Sequence, residues 1–345
     1  MSTAAAKPRM AVRLGELELA NPVMPASGCF GPELAALIDL NRLGALVTKT
    51  VFLRPRSGNP APRLAETHGG MLNSVGIPSR SVDAFLEDML PRYTAWAPPT
   101  IVSIGGLTVS EYLELTETLA GVPGIAALEV NISCPNLEAG GLEIGADPPT
   151  VERVIAGVVA RSRVPVIAKL TPNVTSIAEI ARAAEAGGAT AVSAINTLVG
   201  MSIDLRRRHT ETGTLTGGLS GPAIKPLALR MVWQVARSVS IPVIGVGGIS
   251  TAEDALEFLV AGATAIQVGT ATFTKPDAML RILGGMSDWL QSEGIADVSE
   301  LIGSLSQGPA ERGLPGALAE PTVGGGLRVR SRVVNDFGAQ TQCDQ

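Results

Sequence analysis

The sequence predicts a (β/α)8 barrel of the TIM type, a parallel sheet closed on itself with helices outside. Three observations lead there. Eight short apolar runs alternate with longer amphipathic stretches through most of the 345 residues. Strand-then-helix repetition implies parallel pairing through right-handed crossovers, and eight such units close into a barrel. The chain is 46% hydrophobic but only 3% aromatic, so the core must be built from Ala, Val, Leu and Ile, as suits strands buried on both faces. Two segments also echo each other, GGATAVSAI (187–195) and GATAIQVG (262–269). Each sets glycine at a helix end, where a left-handed residue stops the helix, and then a buried strand.

Taken in order, the strands are expected at Pro22–Ala26, Ala45–Val51, Thr100–Ile104, Ala126–Ile132, Pro165–Leu170, Thr190–Ile195, Pro242–Val246 and Thr264–Val268. Helices are expected near 33–42, 79–92, 108–120, 148–162, 175–186, 222–239, 252–261 and 276–292. Ahead of them, AVRLGELELA (11–20) reads as a hairpin turning at Gly15 and plugging the barrel's bottom. Two connections, 52–78 and 197–221, exceed the ~12–15 residues of a plain loop, and such loops commonly cover or complete a site. The barrel is expected to occupy 1–305. The pattern then fails, and 306–345 is expected to be an irregular or mobile tail.

Composition excludes several classes. A net charge of −5 argues against a nucleic-acid binder, which would carry a basic face. The one basic run, Arg206, Arg207 and Arg208, is either a solvated loop or a docking or lid element. No apolar run reaches the ~18 residues of a membrane span, and MSTAAAKPRM lacks the hydrophobic stretch of a signal peptide, so a soluble, cytoplasmic protein is expected. Cys29, Cys134 and Cys343 are widely spaced without C-x-x-C, which shows neither a disulfide framework nor an iron–sulfur site. His68 and His209 have no ligand spacing, so no metal is expected.

In this fold the chemistry lies at the carboxyl ends of the strands. There the sequence places Ser27, Gly28 and Cys29 after the first strand, and Lys49 and Thr50 in the second. Asn131 and then Ser133–Cys134–Pro135–Asn136 end the fourth, Lys169 the fifth, and Asn196 and Thr197 follow the sixth. Two lysines within apolar strands are unusual, because a buried ammonium needs a fixed anion or electron-rich partner. Gly247 and Gly248, then Gly269 and Thr270, follow strands seven and eight. Glycines there either make tight turns or let backbone approach a phosphate, and this is the fold's usual phosphate site. No G-x-x-x-x-G-K-S/T occurs, which disfavours a nucleoside triphosphatase.

At these residues the chain resembles the dihydroorotate dehydrogenases over roughly 10–305. ASGCFG, GNPAPRLAET, GMLNSVGIP, NISCPN, AKLTPNVT, INTLVGMSIDL, GGLSGPAIKP and IPVIGVGGI stand in the family's order. The details are most similar to class IB, the NAD-linked class, since Cys134 stands where the membrane-associated class has serine. The resemblance implies FMN-dependent oxidation of dihydroorotate to orotate in pyrimidine biosynthesis, with Cys134 as the base. A thiol suits that task because its free pKa of about 8.5 lies near operating pH. It further implies that Lys49, Asn73, Ser74, Val75, Gly76, Ile77, Asn131, Asn196 and Thr197 hold the substrate. Asparagine both donates and accepts, matching an imide-like edge. Ser27, Lys49, Thr50, Ser103, Asn131, Lys169, Ile195, Gly221, Gly247, Gly248, Gly269 and Thr270 would hold FMN, with Lys169 by the flavin's pyrimidine end favouring the anionic reduced form. Ser103 departs from the asparagine common in relatives. Class IB also implies a homodimeric core with a separate electron-transfer subunit carrying FAD and a 2Fe-2S cluster. The alternatives are a flavoenzyme of the dihydropyrimidine dehydrogenase type, a barrel binding a phosphorylated metabolite without redox chemistry, and a scaffold protein.

Overall fold

The computed structural model describes residues 7–133 and 144–306. Eight parallel strands form one sheet: β1 (Val23–Pro25), β2 (Leu46–Val47), β3 (Thr100–Ile104), β4 (Ile125–Asn131), β5 (Val166–Leu170), β6 (Ala191–Ala194), β7 (Val243–Val246) and β8 (Ala265–Val268). They pair in sequence order, with β8 against β1. The remaining seam, between β1 and β2, is bridged where the Gly44 amide donates to the Val23 carbonyl at 2.8 Å. That approach needs glycine: a Cβ on residue 44 would lie 1.9 Å from the Asn21 carbonyl oxygen. The fold is the (β/α)8 barrel the alternation predicts.

Several helices start where side chains cap them. Ser81, Thr108, Asp147, Ser176 and Thr251 each accept a backbone amide at a helix start, which satisfies donors the helix itself leaves unpaired. The predicted helix at 33–42 is instead two 3-10 turns, Pro32–Leu34 and Leu40–Arg42. Asp39 explains the break, because its carboxylate takes the Asn41 amide (3.1 Å) and starts a new turn. The second strand is also shorter than predicted. The Thr48 hydroxyl accepts the Ser103 amide at 3.1 Å, so the ladder stops at Val47 and rejoins only as a bridge from Val51 to Ile104.

The hairpin forms from Val12–Leu14 and Leu17–Leu19, turning at Gly15 with φ +60°. A Cβ at Gly15 would strike Thr190, just ahead of β6, so the hairpin lies against the amino ends of the strands. Leu14 and Leu19 join the barrel's apolar core. The two long connections differ more from expectation, since they are not plain loops. Leu198–Gly200, Gly217–Ser220, Gly70–Asn73 and Leu64–Thr67 form a four-stranded antiparallel sheet. Glycine makes a poor strand former, which hid these strands in the sequence. The packing explains the glycines: a Cβ on Gly217 would meet the Asn73 carbonyl oxygen at 2.6 Å, and one on Gly218 the Thr197 hydroxyl at 2.2 Å.

Arg206, Arg207 and Arg208 sit exposed at the tip of a further small hairpin, Ile203–Asp204 with His209–Thr210. No helix among the described residues is long and apolar enough to cross a membrane. None of their His, Cys, Asp and Glu side chains gather into a metal-binding group of three. Cys134, Asn136 and Cys343, and the expected tail from 307 on, lie outside the described residues.

Candidate active site

A cavity of about 430 Å³ opens at the carboxyl ends of the barrel strands, within the size range of small-molecule sites. Its buried charged group is Lys169. The side chain lies inside the barrel, and Nζ donates to Gln267 Oε1 at 2.8 Å. Gln267 in turn donates through Nε2 to Glu129 Oε2 (2.7 Å), which also accepts the Ser193 hydroxyl at 3.1 Å. The other Glu129 oxygen is 4.0 Å from Lys169 Nζ and has no hydrogen-bond partner among the described residues. An ammonium has three donors, and among the described residues Lys169 donates only to Gln267, which leaves capacity toward the cavity that it lines.

One end of the cavity is a backbone cradle. Gly221, Gly247 and Gly248 have φ of +97°, +127° and +76°, which glycine adopts at no steric cost. Their side-chain directions are filled by protein: a Cβ on Gly221 would lie 2.8 Å from the Gly70 Cα, and one on Gly248 equally close to the Lys225 Cβ. They can therefore present only backbone to the cavity. Gly269 and Thr270 complete this end, with Thr270 donating to the Ser220 hydroxyl at 2.8 Å. Behind it, Asp254 accepts from Ser250 and Thr251 and pairs with Lys225 at 2.7 Å. Burial pushes the Asp254 carboxyl up, but Lys225 and those donors outweigh it and hold the pKa below the usual carboxylate value.

Another part of the cavity wall is rich in amides. Asn131 Oδ1 accepts from Asn196 Nδ2 at 3.2 Å, Asn196 Oδ1 accepts the Thr197 amide at 2.8 Å, and Asn73 Nδ2 donates to the Gly218 carbonyl at 3.0 Å. The glycine-rich sheet thus carries Asn73 over the barrel mouth, and Val75, Gly76 and Ile77 follow it along the wall. Lys49 faces this wall. It lies beyond the end of β2 with its side chain exposed, so it is not the strand-buried lysine the sequence suggested. Among the described residues it makes no side-chain hydrogen bond or ion pair. Partial desolvation and then the Arg63 guanidinium hold its pKa below the ordinary lysine value, with Glu33 opposing.

Ser27, Thr50 and Ile195 line the same cavity. Ser74 and Ser103 do not. Ser74 is buried with its hydroxyl bonded to Thr214, and Ser103 is turned to the Thr50 hydroxyl at 3.0 Å. Any contribution from Ser103 is therefore relayed through Thr50, because its side chain is too short to pass that neighbour. Sequence reasoning missed Glu129 and Gln267, whose only signal was a polar residue inside an apolar strand. It also missed Asn173, which accepts the Val199 amide at 3.0 Å and donates to the Thr197 carbonyl at 3.3 Å, bracing the rim. Cys29 was noted but given no place. It lines the cavity beside Gly269, and burial pushes its thiol up to about 11 while Lys169 pulls the other way.

The cavity thus brings together a buried lysine, a glycine cradle and an amide-rich wall. The family model for dihydroorotate dehydrogenase matches residues 9–290. The chain belongs to the dihydroorotate dehydrogenase family. Curated relatives agree with that membership. It is 54% identical to a protein of Trichlorobacter lovleyi over 87% of this chain and 99% of the relative. It is 52% identical, with the same coverage, to proteins of Geotalea uraniireducens and Geobacter sulfurreducens. All three are named dihydroorotate dehydrogenase B (NAD(+)), catalytic subunit. Dihydroorotate dehydrogenase relatives of this B type are thus similar along nearly their whole length.

Proposed function

We propose that this chain oxidises dihydroorotate to orotate in pyrimidine biosynthesis, as the FMN-bearing catalytic subunit of an NAD-linked dihydroorotate dehydrogenase. The observation that carries the reading is the pairing of a backbone-only glycine cradle with Lys169, whose donors are only partly used, across one cavity. The cradle suits a phosphate, which backbone amides bind well. A partly satisfied ammonium suits the electron-rich pyrimidine edge of a flavin. Gly221, Gly247, Gly248, Gly269 and Thr270 would hold the phosphate end, and Ser27, Thr50, Ile195 and Lys169 the ring end. When bound, FMN supplies the hydride acceptor.

The remaining work belongs to side chains of this chain. Lys49, which lines the cavity and has no side-chain partner among the described residues, would take the substrate's carboxylate. Asn73, Asn131, Asn196 and Thr197 offer donors and acceptors to the ring amides, with the backbone of 75–77 closing the same wall and Ser74 buried behind it. Asn131 and Asn196 bond to each other, so their amides are already oriented and little freedom is lost on binding. Cys134 takes the proton from the ring methylene, as the family resemblance implies. Asn131 and Ser133, which lead into it, line the cavity. The relatives' name, catalytic subunit, supports a second subunit that returns the electrons to NAD. We assign it FAD and a 2Fe-2S cluster, bound to a homodimeric core.

The test is direct. The purified chain should be yellow, with absorbance near about 450 nm from oxidised flavin, and dihydroorotate should bleach it. A colourless chain, or one bleached by a dihydropyrimidine but not by dihydroorotate, overturns the reading. Cys134→Ala should keep the flavin yet slow its reduction by dihydroorotate at least ~100-fold, the scale of general-base loss. Near-normal reduction would remove Cys134 from that role. If the chain alone reduced NAD as fast as the reconstituted complex, no partner would be needed.

A further inference from the structure

Inside the barrel, behind the proposed flavin site, lies a carboxylate that none of the chemistry above uses. Glu129 on β4 is fully buried. One of its oxygens accepts two hydrogen bonds, from Gln267 and Ser193, and the other accepts none from the described residues. A buried charged oxygen left without a donor is costly and calls for an explanation. The nearest cation is Lys169, at 4.0 Å, beyond hydrogen-bond reach but well within strong electrostatic range in a dry interior.

Gln267 on β8 keeps the two charges at that distance. Its carbonyl faces the ammonium and its amide nitrogen faces the carboxylate, at 2.8 and 2.7 Å. The amide is a spacer: it satisfies one lysine donor and one glutamate oxygen, and so removes the incentive for a direct ion pair. The result is an ordered triangle of Glu129, Gln267 and Lys169, of which only Lys169 lines the cavity. A group in the cavity meets a dipole whose positive end points outward rather than an isolated charge. Lys169 alone would strongly favour an added negative charge on a bound flavin, and Glu129 behind it subtracts from that.

We propose that Glu129 is a positioning and tuning residue that opposes the field of Lys169, with Gln267 as the spacer, and so sets the reduction potential of the flavin. The inference rests on the flavin reading above. It makes two expectations of opposite sign. Glu129→Gln removes the opposing charge but keeps the shape, so the potential should rise. Gln267→Met removes the spacer and lets Lys169 close onto Glu129, so the potential should fall.

The experiment is a reductive titration of the FMN-loaded full chain against reference dyes, comparing the midpoint potentials of the unaltered protein and both variants. Each variant should shift the balance of oxidised and two-electron-reduced flavin at least tenfold, which is ~30 mV. Sulfite, which adds as an anion to oxidised flavin, should bind at least tenfold more tightly to Glu129→Gln. If Glu129→Gln does not fold, Gln267→Met carries the test by its downward shift. A residue that merely supported the fold would give no shift, or shifts of one sign, and either result overturns the proposal. Loss of flavin from both variants also overturns it, marking the triangle as structural. A chain that binds no flavin even unaltered sinks the earlier reading together with this one. A flavin-loaded chain with unmoved potentials sinks this one alone.

Discussion

Lys49 and Lys169 look alike in the sequence, each following apolar strand residues, yet they sit in two different kinds of environment. Lys169 is caged in the barrel interior, with an internal counter-charge and a fixed amide beside it. Lys49 stands at the rim, past the end of its strand, with no described side-chain partner. The interior solves its electrostatics when the chain folds, because an unpaired charge there would cost too much. The rim leaves its electrostatics open, because water can serve until a ligand arrives. The same contrast holds for packing. Barrel strands bury side chains on both faces, whereas the antiparallel sheet over the mouth is mostly half-buried and rich in glycine.

Two leucines sharpen the contrast and carry the largest expected effects. Leu115 is fully buried on the helix Val109–Leu119 in the barrel core. Leu72 is as buried, but it packs within the rim sheet against Gly200 and Gly217. Leu115→Ala should cost about 2–5 kcal/mol of global stability by denaturant unfolding, with orotate affinity of the folded protein retained. Leu72→Ala should cost clearly less globally but weaken orotate binding, because Asn73 next to it carries the amide wall. Equal unfolding costs for the two would mean the rim is no separate element.

Next in size is Lys49→Ala. Losing a charge-assisted contact should weaken orotate binding by about 1.5–3 kcal/mol, measured by flavin-perturbation titration, with the melting temperature unchanged. A large drop in melting temperature would instead place Lys49 among the structurally committed groups, beside Lys169, and erase the distinction.

The legibility of the sequence follows the same division. All eight barrel strands were readable to within a few residues, because burial on both faces leaves a mostly apolar run. The glycine cradle was readable for the same reason, since Gly247, Gly248 and Gly269 directly follow such runs. The rim was not. Gly70, Gly217 and Gly218 pair in a sheet because the neighbouring backbones and Thr197 leave no space for a Cβ, a requirement that exists only once the segments meet. Asp39 restarting a turn inside 33–42 was missed because an aspartate in a helical pattern is common. Glu129 and Gln267 were missed because their partners come from strands four, five, six and eight, and no local pattern announces a network of that range.

The smallest expected effect probes the open electrostatics of the rim itself. Desolvation and Arg63 hold the Lys49 pKa below the ordinary lysine value, so its ammonium gives up a proton earlier than usual as pH rises. A carboxylate binds the protonated form. The Lys49 contribution to orotate affinity should therefore be whole at neutral pH and decline on the alkaline side, beginning below the ordinary lysine value of about 10.4. The quantity to follow is the ratio of affinities of the unaltered protein and Lys49→Ala, because the ratio cancels any titration of orotate itself. Arg63→Gln removes one of the two influences lowering that pKa, so the decline should move to higher pH. A ratio flat to the alkaline limit, or an onset shifted downward by Arg63→Gln, would mean the carboxylate lies elsewhere and that the rim, like the interior, had already settled its charges.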